Sequence, residues 1–170
     1  MVSVSSEWPT VEVDDIERLR VLSRVLPGVW MEERVLDTPY DRVWSFVSDL
    51  EGSVHMFDAD VRKVRVVRRE GERLTLWGFG SWRFLWLPNL FRVQLRDGFC
   101  WMSSQGYVVG MAAIPEGDRT RFVHLEGVHV RGPKFARFLA RPLEWISRLR
   151  HRRHVPHDID GIERCLGLRV

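Results

Sequence analysis

Lysine is almost missing from this chain of 170 residues: of 26 basic residues, only Lys63 and Lys134 are not arginine. Cysteine and tyrosine are just as sparse, with two of each. Cys100 and Cys165 stand far apart without a CxxC, which argues against a disulfide framework and for free thiols in a reducing compartment, so a cytoplasmic location is expected. No uninterrupted apolar run approaches the ~18 residues that suggest a membrane span. The opening MVSVSSEWPTVEVDD lacks a basic n-region and an apolar h-region, so no secretory leader is expected. GxSxG is absent, leaving a hydrolase nucleophile without support. With neither a DNA-binding motif nor an RNP-type aromatic signature, nucleic acid is not an expected partner.

What is present is a globular composition, 45% hydrophobic and 29% charged, with a formal net charge of only +3. One domain with a sizeable core is expected. Ile16, Leu19, Leu22, Val25 and Leu26 recur at spacings of three and four, which predicts an amphipathic helix over 11–26 behind a loose tail at 1–10. Asp14 and Asp15 favour its N-terminal end, and Pro27-Gly28 stops it. A strand is predicted at 29–36. Thr38 as N-cap and Pro39 at the first helical position open the next helix, and a short helical piece spans about 50–57. From 60 to 130 the period changes to two, with turns at Glu70-Gly71, Asp97-Gly98 and Pro115–Asp118. This predicts a meander of about six antiparallel strands. Phe135, Phe138, Leu139, Pro142, Ile146 and Leu149 restore helical spacing over 133–153, with a kink expected at Pro142. A last short helix is expected over 158–166. The domain reading is an N-terminal tail and helix at 1–28, a main domain at 29–153 and an extension at 154–170.

The order of elements, with Thr38-Pro39-Tyr40-Asp41-Arg42-Val43-Trp44 after the first strand and Gly117-Asp118-Arg119-Thr120-Arg121 entering the last, resembles the START/Bet v 1-like (SRPBCC) superfamily. Within it, the chain resembles the polyketide cyclase/dehydrase-like branch over about 29–153. The resemblance implies an α+β helix-grip fold, in which a curved antiparallel sheet of about seven strands wraps a long C-terminal helix. The N-terminal helix is an addition to that plan. It further implies an apolar cavity for a hydrophobic small molecule such as a lipid, sterol or polyketide, and no shared cofactor. A motif of this kind specifies fold better than function.

The stretch LWGFGSWRFLWLPNLF at 76–91 holds three Trp and three Phe around a single charge. Read as one strand, it puts Trp82, Phe84 and Trp86 on one face, either as packed core or as a cavity wall that stacks on a planar ligand. Trp77, Trp101, Ser103, Tyr107, Phe122 and Phe138 join it as ligand-binding candidates. His124 and Glu126 stand two apart in FVHLEGV and share a face with Phe122. The resemblance turns that face inward, where an imidazole beside a carboxylate suits acid–base catalysis of cyclisation or dehydration. A salt bridge without chemistry is the plainer alternative. HRRHVPHD at 151–158 is not HExxH, and Pro156 is expected to interrupt the helix, so no metal site or cofactor is assigned. Residues 131–153 carry eight basic residues against Glu144 alone. That composition fits a solvated helix back, an anionic membrane surface or an acidic protein partner. Three readings follow: a cyclase/dehydratase-like enzyme, a non-catalytic small-molecule carrier or sensor, and a docking module. A monomer or a homodimer fits each of them.

Overall fold

The computed structural model describes residues 13–82, 85–130 and 132–168, so the expected tail at 1–10 lies outside them. The elements run α1 (Asp15–Val25), β1 (Val29–Leu36), α2 (Tyr40–Ser48), α3 (Val54–Phe57), β2 (Val61–Glu70), β3 (Arg73–Trp82), β4 (Leu85–Arg96), β5 (Phe99–Ser103), β6 (Tyr107–Glu116), β7 (Arg119–Val128) and α4 (Lys134–Cys165). The strands form one curved antiparallel sheet in the order β1-β7-β6-β5-β4-β3-β2. With α4 gripped by the sheet and α1 behind it, this is the helix-grip architecture.

Both faces of the sheet are covered where β1, β7 and β6 lie. Ile16 and Leu19 of α1 pack with Phe99, Ala112 and Val123 on one face. On the other, Ile159 and Ile162 of α4 share a core with Leu36, Val43, Met111 and Phe122. Residues 122–127 are therefore buried without interruption, although strand period alone would expose every second one. Asp14 caps α1, its carboxylate accepting the Glu17 amide at 2.7 Å.

Three local expectations are corrected. Thr38 is not the cap of α2: Pro39 occupies that position, while Thr38 is buried and its carbonyl accepts the Thr120 hydroxyl at 2.8 Å. The aromatic stretch is not one strand: β3 ends at Trp82, β4 starts at Leu85, and Ser81 pairs with Trp86. Pro88 is tolerated because β5 pairs with β4 only from Arg92 onward, so no ladder partner requires an N–H on that side. Finally, α4 runs through both Pro142 and Pro156. One lost backbone bond at Pro156 is outweighed by the burial of Val155, Ile159 and Ile162, all 0% exposed. Residues 154–165 thus continue the helix of 134–153.

Gly161 lets α3 sit directly on α4, since a Cβ there would lie 2.7 Å from the Phe57 carbonyl oxygen. Alanine for glycine in a helix ordinarily gains about 1 kcal/mol. Gly161→Ala is expected instead to cost about 1–3 kcal/mol through overpacking, measured by urea unfolding. A gain would show that α3 is not seated against the helix.

Candidate functional site

Ser147, His151, His154 and Asp158 recur at four, three and four residues along α4 and therefore share one face, turned toward β7. The Ser147 hydroxyl donates to the Gly28 carbonyl at 2.8 Å and accepts the Val128 amide at 3.0 Å. One turn on, His151 Nδ1 lies 2.7 Å from the Ser147 carbonyl. A carbonyl only accepts, so that nitrogen carries the hydrogen and Nε2 is directed outward. Nε2 lies 2.7 Å from the Tyr107 hydroxyl, whose one hydrogen goes to Glu126 Oε1 at 2.6 Å, so Nε2 bonds to that oxygen only when it carries a hydrogen as well.

Glu126 and His124 come from alternate positions of β7 and are 4% and 2% exposed. Behind them the second carboxylate oxygen, Glu126 Oε2, stands 3.7 Å from His124 Nε2 and 3.6 Å from His154 Nε2. Asp158 Oδ2 lies 3.5 Å from each of those nitrogens. Asp58, at the end of α3, places Oδ1 3.5 Å from His154 Nε2 and also accepts the Asp60 amide at 2.9 Å, a contact typical of an Asp in a turn. Glu126 Oε2, both Asp158 oxygens and His124 Nδ1 are buried and find no hydrogen-bond partner among the described residues. Two trios here, Asp58–Glu126–His154 and His124–Glu126–Asp158, have metal-ligand spacing.

Burial and charge pull these groups in opposite directions. Burial alone would suppress the His124 imidazolium, but Asp158 and Glu126 outweigh it and raise the pKa. His154 is raised in the same way by Asp58, Glu126 and Asp158. Burial would raise Glu126, yet the imidazoles, His124 first, hold it below the usual carboxylate range. Asp158 and Asp58 are raised by burial, with Glu126 adding repulsion. Burial lowers His151, and burial with Glu126 raises Tyr107.

A cleft of about 350 Å³ opens between the sheet and α4, lined by Val61, Gly78, Phe91, Leu143, Ile146 and the polar wall of Tyr107, Glu126 and His151. An inner recess of about 70 Å³ continues past Phe57, Met102, Val109 and Met111 to His124. Gly78 leaves room for the Phe91 ring, which would lie 3.1 Å from a Cβ at that position.

His124, Glu126 and Tyr107 are thus brought together at this cavity. Phe122 shares their face but belongs to the packed core beyond the recess. Trp77, Trp101 and Ser103 are corrected: they alternate with the cavity-facing Gly78 and Met102, so they occupy the opposite sheet face, where Trp101 packs near α1. Phe138 is also corrected. It is 62% exposed on α4 and lines an outer groove with Val25, Pro27 and Phe135. The side chains of Trp82, Phe84 and Trp86 lie outside the described residues. Sequence reasoning missed Asp58, His151, His154 and Asp158. Continuing the helical period past Pro156 places the last three on the inward face with Val155, Ile159 and Ile162.

No family model matches the chain, and no curated protein matches it. Solved structures do. TTHA0849 from Thermus thermophilus is 24% identical, with a TM-score of 0.60 over 80% of this chain and 94% of that one. The Zhui aromatase/cyclase from Streptomyces sp. R1128 is 13% identical, with a TM-score of 0.60 over 79% and 90%. A truncated norcoclaurine synthase from Thalictrum flavum is 16% identical, with a TM-score of 0.53 over 81% and 92%. At these identities the likeness is one of fold.

Tyr107→Phe removes the hydroxyl between two buried partners and is expected to cost about 1–3 kcal/mol in chemical unfolding. Tyr40→Phe, whose hydroxyl meets Asp97 at the exposed surface, serves as the comparison and should cost under about 1 kcal/mol. Equal losses would show that the Glu126–Tyr107–His151 chain is not buried as described.

Proposed function

We propose, on the START/Bet v 1-like helix-grip fold that this chain carries, that it binds a hydrophobic small molecule in the cleft between the sheet and α4. The single observation carrying this reading is the cavity itself: apolar walls converge on Tyr107, Glu126 and His151 at one end. A flat or polycyclic body fits against Phe91, Val61 and Ile146, while a carbonyl or hydroxyl meets the polar end. We extend the proposal to cyclisation with dehydration of a polyketide-like substrate. Glu126 takes a proton from an acidic carbon, that carbon bonds to a carbonyl carbon, and Tyr107, backed by His151, protonates the resulting alkoxide to a hydroxyl. Once the proton on Glu126 has passed along the wall to Tyr107, Glu126 takes the second proton of the same carbon, a C=C bond forms, and the hydroxyl leaves with the proton of Tyr107 as water. His124 faces Glu126 from the inner recess and balances its charge. Two hydrogen-bonding gaps, of 2.6 and 2.7 Å, separate Glu126, Tyr107 and His151, an arrangement suited to passing a proton along the wall. The two free thiols favour a cytoplasmic location, which cell fractionation checks.

Quenching of tryptophan fluorescence by anilinonaphthalene sulfonate is the first test. Val61→Trp, which fills the cleft, should weaken binding at least about tenfold. Equal affinity in the variant would remove the cleft as the site. For the reaction, Glu126→Gln should slow turnover of a poly-β-carbonyl substrate about 100-fold or more while binding persists. Undiminished turnover leaves a carrier or sensor.

A second reading rests on the first half of α4, where Phe135 and Trp145 are 73% and 63% exposed beside Arg141 and Arg148. An apolar face edged with arginine fits an anionic membrane surface or an acidic protein partner. Arg141→Glu with Arg148→Glu should weaken co-sedimentation with phosphatidylserine vesicles at low salt. Unaltered sedimentation counts against the membrane.

A further inference from the structure

The buried side of Glu126 closes a ring of four donor atoms. His124 Nε2, Glu126 Oε2, His154 Nε2 and Asp158 Oδ2 alternate nitrogen and oxygen, with edges of 3.7, 3.6, 3.5 and 3.5 Å. These exceed the about 2.7–3.2 Å of an ordinary hydrogen bond. The donor atoms of each of two trios, His124–Glu126–Asp158 and Asp58–Glu126–His154, all lie within 4.8 Å of one another, near enough to close on a divalent ion. Asp58 Oδ1 adds a third carboxylate, 3.5 Å from His154 Nε2.

The orphaned oxygens supply a second observation. Asp158 is 0% exposed, yet neither of its oxygens has a hydrogen-bond partner among the described residues, and Glu126 Oε2 has none either. A carboxylate taken out of water is costly unless a hydrogen bond, a proton or an opposite charge matches it. In the metal-free protein the carboxylates favour protonated imidazoles; an incoming cation displaces those protons, and the freed nitrogens then offer it lone pairs while the carboxylates offer it charge.

We propose that His124, Glu126, His154 and Asp158 form a binding site for a divalent transition metal ion, with Asp58 beside it. Two imidazoles with carboxylates suit zinc, iron(II) or manganese(II), while the lack of any thiolate or thioether among these donors disfavours soft copper(I). The uninterrupted helix is what makes this set: it holds His154 and Asp158 one turn apart on the same face. An entry path exists beside His154, whose side chain is 14% exposed and lies 3.8 Å from the partly exposed Asp60. Glu126 then divides its carboxylate, with Oε1 on Tyr107 and Oε2 on the ion. The consequence for a ligand rests on the cleft reading above, since the ion would sit behind the carboxylate that meets it; the ion site itself does not.

The test uses the full chain stripped with a chelator and titrated with zinc against a chromophoric competitor, then with cobalt(II) read by visible absorption. One equivalent of zinc should bind more tightly than about 1 μM. Asp158→Asn and His154→Gln should each weaken it at least tenfold and alter the cobalt spectrum, whereas His157→Gln on the exposed side should not. If Asp158→Asn fails to fold, the partly exposed His154→Gln decides alone. Binding no tighter than about 100 μM, or wild-type affinity in the foldable variants, overturns the proposal. Anilinonaphthalene sulfonate titrated into the same metal-free samples separates the two ideas. Probe binding without zinc binding sinks only the ion site, and zinc binding without probe binding sinks only the cleft reading.

Discussion

One hydroxyl sets the depth at which the long helix lies. Ser147 satisfies the Gly28 carbonyl and the Val128 amide together, at the point where the entry to β1 and the end of β7 come closest. A side chain at residue 28 would collide there, with its Cβ 2.0 Å from the Val128 carbonyl oxygen. Because a helix is stiff, this contact fixes the next three turns as well. His151, His154 and Asp158 arrive at the sheet at a height determined by Ser147. The ion pairs of Arg34 with Asp160 and Glu163, at 2.6 and 2.9 Å, secure the far end.

The cleft has a topological origin. β4 is twelve residues long and β5 only five, so the first half of β4 pairs with β3 alone. The β3–β4 hairpin therefore extends past the closely packed part of the sheet. Toward the other end, Phe122, Val43 and Ile159 belong to one solid core. The His–carboxylate cluster stands at the boundary between solid and hollow. There the low dielectric strengthens each charge interaction and makes an unmatched charge costly. Apolar residues of equal volume would pack there at least as stably as these ionisable groups.

Much of this arrangement can be read from the residues. Period-two alternation and the glycine turns at 71, 98 and 117 mark the six-strand meander, and all three glycines adopt positive φ. His124 and Glu126 are visible as a pair on one strand face. Their partners are not, because Asp58 reads as a turn residue and the 151–158 segment reads as interrupted by proline. Trp77 and Trp101 look like cavity wall by their size alone. Trp101 lies on the opposite face, where a second helix, α1, supplies apolar cover and makes that face acceptable to an aromatic ring, and Trp77 shares that face on β3.

Residue order alone determined the element types and the antiparallel meander, since period, caps and turn chemistry act over a few neighbouring positions. Tertiary structure decided which sheet face became the interior, whether a helix could continue across Pro156, and which distant acids would meet the two histidines of the ring. Those outcomes depend on burial summed over separate segments. The apolar area covered by Val155, Ile159 and Ile162 outweighs a missing backbone bond, and no local window contains that sum.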